Sequence, residues 1–130
     1  MTVPPFDRLD PDLALAETLL APGRALAAVA AALPDHTAAA RRLNAVLAAS
    51  GATPRLHRTA NGWRIVTLSG DSTPDTPAAA ASGLAGLIAA DGWHRLKRCA
   101  APSCGAAFID RTNAAVRRYC RTHSRHGAPR

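Results

Sequence analysis

Aromatic residues make up only 4% of the 130-residue chain, so its core has to be assembled from alanine, leucine and valine. Such side chains bury little apolar area each, which predicts a core of modest stability. No apolar run reaches the ~20 residues of a membrane-spanning helix. The Ala/Leu stretches are interrupted by Pro22, Arg24, Pro34 and Arg41. Met1-Thr2-Val3-Pro4-Pro5 has neither the basic nor the apolar region of a secretory leader, and a reducing, cytoplasmic location is the expectation. Catalytic signatures are missing too. There is no paired-carboxylate or Ser-His-Asp set, and Gly83 and Gly86 lie in a helical pattern with no lysine following, unlike a phosphate-binding loop. His57 and His94 stand isolated and carry no site signal.

What is present lies near the C-terminus. The three cysteines fall within 22 residues as Cys99-x4-Cys104, a fifteen-residue gap, then Cys120-x2-His123, with His126 following. One disulfide would leave a reactive thiol over. Inert burial fits poorly with the basic neighbours Arg98 and Arg121. A catalytic cysteine needs one thiol and distant partners, not three thiols together. Thiolate and imidazole at these spacings suit a structural zinc ion, which takes four such ligands in a tetrahedron and leaves no open position. Cys99, Cys104, Cys120 and a histidine are therefore the candidate ligands of one Zn²⁺, with His123 favoured for its short spacing from Cys120.

Charge is segregated. Residues 93–130 hold nine basic side chains against one acid, Asp110, a net +8, whereas residues 1–92 come to −1. The body shares the same compositional background and is not basic, so the asymmetry is informative. A basic module beside a neutral body is the electrostatic footprint of a nucleic-acid binder. Arg117, Arg118, Arg121 and Arg125 cluster about the last ligands and are the candidate phosphate contacts. A solvated, unliganded basic face is the bland alternative.

Along the body, Asp10-Pro11-Asp12 reads as a helix entry ahead of Leu13, Leu15, Leu19 and Leu20, and Ala21-Pro22-Gly23 ends it. Helical periodicity then covers about Arg24–Leu33, His36–Ala49 and Ala78–Ala90. Strand alternation at Arg55–Thr59 and Trp63–Leu68, around Asn61-Gly62, predicts a hairpin. Trp63 and Trp93 are expected to pack that hairpin against the last helix. Phe108 is expected in the small finger core, and Asp110 as a local turn acceptor or as a carboxylate orienting a ligand histidine.

The stretch Arg95-Leu96-Lys97-Arg98-Cys99 through Cys104, then Phe108-Ile109-Asp110, then Arg117-Arg118-Tyr119-Cys120, resembles the CGNR zinc finger family. It diverges at the Cys-Gly-Asn-Arg tetrapeptide, where His123-Ser124-Arg125-His126-Gly127 stands instead. In the family's register His126, preceding Gly127, takes the place of the last cysteine and is the alternative fourth ligand. The body, with its Ala/Leu helices, Leu43-Asn44 and hairpin, resembles the ABATE domain found ahead of that finger. These resemblances imply a bacterial, zinc-containing, DNA-binding transcription regulator.

The expected fold is α+β. A mainly helical body, residues 1–92 with a hairpin at about 55–68, precedes a small treble-clef-like or ribbon-like zinc module, residues 93–130. DNA is the expected partner. A zinc-stabilised protein-interaction module and an RNA binder are the alternatives, none of them an enzyme, and neither the DNA site nor the oligomeric state is legible.

Overall fold

Leu13, Ala16, Leu19 and Leu20 recur at helical spacing, and all four are buried on the first helix, α1 (Asp12–Leu19), or just past its end. The computed structural model describes residues 12–60, 62–68, 76–112 and 114–123. The Asp10-Pro11 entry lies outside them. A turn over residues 20–26 leads to the short α2 (Ala27–Ala32), which starts later than its apolar pattern because Leu26, at the cap position, offers no side-chain acceptor. Arg42 reaches back to this helix, its Nη1 donating to the Ala28 carbonyl at 2.9 Å. Asp35 is the N-cap of α3 (His36–Ala49), accepting from the Ala38 amide at 3.1 Å.

The hairpin pairs β1 (Thr53–Thr59) with β2 (Gly62–Leu68), antiparallel, from Thr53 opposite Leu68 to Thr59 opposite Gly62. Gly62, at φ +106°, already belongs to β2, so it opens the second strand. The expected tryptophan packing is not found. Trp63 shares a hairpin face with Arg58 and is 64% exposed, with the Arg58 guanidinium 5.8 Å from its ring. Trp93, beyond the left-handed Gly92, swings to the start of α3 and stacks on His36 at 5.0 Å.

Helix α4 (Thr76–Asp91) buries Ala80, Ala81, Leu84 and Leu87 against α1 and α3. The helices approach closely at Gly83, where an added Cβ would stand 2.6 Å from the Asp12 Cβ. Poverty in aromatics is thus met by close helix packing through small residues. After α4 comes a second ribbon, β3 (Leu96–Arg98) antiparallel to β4 (Ala107–Ile109), with Leu96 opposite Ile109. Leu96 and Ile109 join the helical core, while Cys99, Ala101, Phe108 and Cys120 form a second, smaller cluster. The architecture is α+β, with a compact Cys/His cluster at its end. No described helix is long and apolar enough to cross a membrane.

Candidate metal centre

The first ligand pair sits on the connection between β3 and β4. Cys99 continues β3, and its amide donates to the Ala106 carbonyl at 2.8 Å, extending the ribbon by one bond. The chain then turns back through Ser103 (φ +63°) and Gly105 (φ +62°), either side of Cys104. The Ala101 amide points at the Cys99 sulfur, 3.5 Å away. The second pair lies on a turn closed by the His123 amide and the Cys120 carbonyl, 3.2 Å, which puts both side chains on one side without the helix their spacing suggests.

These pieces bring the donor atoms of Cys99, Cys104, Cys120 and His123 within 4.8 Å of one another. A tetrahedral zinc with Zn–S of about 2.3 Å and Zn–N of about 2.0 Å requires sulfur–sulfur edges of about 3.8 Å and sulfur–nitrogen edges of about 3.6 Å. Cys104 Sγ lies 3.8 Å from Cys120 Sγ; His123 Nδ1 lies 3.7 Å from Cys99 Sγ and 3.2 Å from Cys120 Sγ. All three thiols are free. The set fits Zn²⁺, with Nδ1 as the imidazole donor. His126 and Arg125 lie outside the described residues.

Residues 95–127 match the CGNR zinc finger family. The match covers 33 of the 130 residues and leaves the helical body outside it. No curated protein matches the chain.

The electrostatics of the Cys/His cluster suit a cation. Burial pushes the Cys120 thiol up, but the Thr122 hydroxyl and amide, His123 and Cys99 outweigh it and bring it to about 6. At Cys104 the Ala106 amide pulls downward, yet burial and the neighbouring Cys99 and Cys120 leave that thiol above its ordinary value. Without metal, one thiolate is favoured at the cost of the next. A divalent ion removes the conflict by stabilising all three.

Asp110 organises the segment between the ligand pairs. Fully buried, it accepts from the Thr112 amide and hydroxyl, the Arg117 amide (2.9 Å) and Lys97 Nζ (2.8 Å). Burial alone would raise its pKa, but Lys97 and these donors hold it at about 2. Lys97 Nζ also donates to the Ala115 and Arg117 carbonyls, each at 2.7 Å. Asp110 is thus the turn acceptor expected from the sequence, and its described partners do not include a ligand histidine. Phe108 is 2% exposed in the finger core, also as expected.

The basic residues divide into two groups. Arg95 is buried and structural, pairing with Asp91 and donating to the Asp110 and Thr112 carbonyls. Lys97 is half-buried and held by Asp110 and two carbonyls. Neither presents the free charge that counting suggests. Arg117 lies over the Phe108 ring at 4.8 Å and donates to the Tyr119 carbonyl. Arg118 is exposed beside Tyr119, and Arg121 is 80% exposed, 3.4 Å from Glu17. Glu17 is a bracing residue that sequence reading misses. From α1 it also accepts the Ile109 amide at 2.8 Å, tying the finger to the body. No local pattern signals a contact 92 positions apart.

Proposed function

We propose that this chain is a zinc-stabilised DNA-binding protein that acts in transcription regulation. The observation that carries this reading is the placement of Arg117, Arg118 and Arg121 around the zinc ligand Cys120. Metal binding there would fix the backbone of a basic segment, and arginine pairs well with phosphate. The segregated +8 charge of residues 93–130 supports the same reading. Zinc is structural in it, since three thiolates and an imidazole close the shell and leave no position for a substrate, so no enzymatic activity is proposed. A protein-docking role is the second reading, favoured by the exposure of Leu56 and Trp63 on one face of the hairpin.

Fluorescence anisotropy with random duplex DNA at several salt concentrations separates the two. Each phosphate neutralised contributes about −0.9 to the slope of log K against log salt. Replacing Arg118 and Arg121 together should flatten that slope by nearly two units. Zinc-loaded protein that shows no binding at low salt would exclude the DNA reading in favour of protein docking.

A further inference from the structure

Between finger and body lies a cleft of about 680 Å³, within the range of small-molecule sites. One wall is β3 and Ala100; another is the segment Ala115–Arg118; the third is the Leu33–His36 corner ahead of α3. The first two walls are stitched together. Lys97 Nζ holds the Ala115 and Arg117 carbonyls, and the Ala100 amide donates to the Arg118 carbonyl at 2.8 Å. The third wall is braced by the His36–Trp93 stack.

The lining has one sign of charge. Lys97, Arg98, Arg117 and Arg118 border the cleft beside Leu33, Pro34 and Val116, and no carboxylate among the described residues does. Asp35, next in sequence to the lining residues, is engaged as the α3 cap. Lys97 is neutralised by Asp110, and Arg117 is turned onto Phe108. Arg98, whose Nε donates to the Gly105 carbonyl at 3.1 Å, and Arg118, beside the Tyr119 ring, remain exposed, with no ion pair among the described residues and the rest of each guanidinium left to donate. Val116 stands 73% exposed between these charges and the apolar corner.

We propose that this cleft binds a small amphiphilic organic anion, a carboxylic or sulfonic acid with an apolar body. Arg98 and Arg118 pair with its acid group, and Leu33, Pro34 and Val116 cover its apolar part. A ligand there touches body and finger at once and occupies Arg118, so it competes with any phosphate for that side chain. Binding of the anion does not depend on the DNA reading, and the test uses protein without DNA.

The test takes the full zinc-loaded chain carrying Trp63→Phe, which leaves Trp93 as the sole tryptophan, stacked on the cleft residue His36. The probe is 8-anilinonaphthalene-1-sulfonate, followed by energy transfer from Trp93, with uncharged N-phenyl-1-naphthylamine as comparison. Saturable one-to-one binding of the sulfonate is expected, at least about tenfold tighter than the neutral probe. Arg98→Glu/Arg118→Glu should weaken the sulfonate by roughly tenfold or more, whereas the charge-matched Arg55→Glu/Arg58→Glu on the hairpin should leave it unchanged. Equal affinity for the two probes on the unmodified cleft would overturn the proposal. So would an equal loss in the hairpin variant, which would mark general attraction to a basic surface.

Discussion

Replacing Asp110 by asparagine removes the one negative charge of the finger while nearly preserving its shape. Its pKa of about 2, against 3.8 for an ordinary aspartate, corresponds to about 2.4 kcal/mol at ~1.36 kcal/mol per unit. The carboxyl is buried and Lys97 partly exposed, so solvent screens this contribution only in part and the figure is an upper one. Losing one partner of a buried ion pair costs about 3–5 kcal/mol when the other charge is stranded. Lys97 keeps two carbonyl acceptors and is partly exposed, so the lower figure governs. The expected loss is about 2–3 kcal/mol at neutral pH. Because zinc coordination and finger folding are linked, apparent zinc affinity should fall by about 30- to 150-fold. Chelator competition at pH 7 measures it, and a Lys97→Met/Asp110→Asn cycle isolates the pair. The sign follows from a lowered folded pKa. The stabilisation is complete above the unfolded value near 4 and disappears as pH falls through about 2. A change below threefold in Asp110→Asn, or no coupling to Lys97, would refute the bracing role.

Three further outcomes are expected. Chelation should remove amide protection from residues 99–106 and 114–123 but spare β3 and β4, because Leu96 and Ile109 belong to the helical core; uniform loss by hydrogen exchange would contradict this. Gly83→Ala places a methyl 2.6 Å from the Asp12 Cβ and should cost about 1–2 kcal/mol in urea unfolding, after allowing for the ~1 kcal/mol gain in helix propensity. Glu17→Ala leaves the Ile109 amide without its carboxylate and should lower protection there by about 1–2 kcal/mol, with zinc content unchanged.

The Cys/His cluster was readable because metal chemistry is tied to residue type and local spacing, and Cys99-x4-Cys104 with Cys120-x2-His123 carries both. Helix α3 was equally plain: a full-length apolar stripe ends at Ser50-Gly51, and its observed bounds are those expected. The ribbon strands were not, since three residues each are too few to show a period. Charge counting did not separate Arg95 and Lys97 from the exposed arginines, since their carbonyl partners at Asp110, Thr112, Ala115 and Arg117 come together only in the fold. Trp63 defeated the size-means-burial expectation because its hairpin turns that face to solvent. Glu17 was invisible for a related reason: its meaning lies in an amide supplied from the other end of the chain.

The Cys/His cluster calls for one zinc ion held by Cys99, Cys104, Cys120 and His123, and X-ray absorption at the zinc edge reads that coordination out. Protein purified without added metal should contain one equivalent of zinc, with three sulfurs at about 2.3 Å and one nitrogen at about 2.0 Å. His123→Ala should remove that nitrogen and weaken the metal. Far less than one equivalent of zinc, or a three-sulfur, one-nitrogen shell unaltered in His123→Ala because His126 supplies the nitrogen, would contradict it.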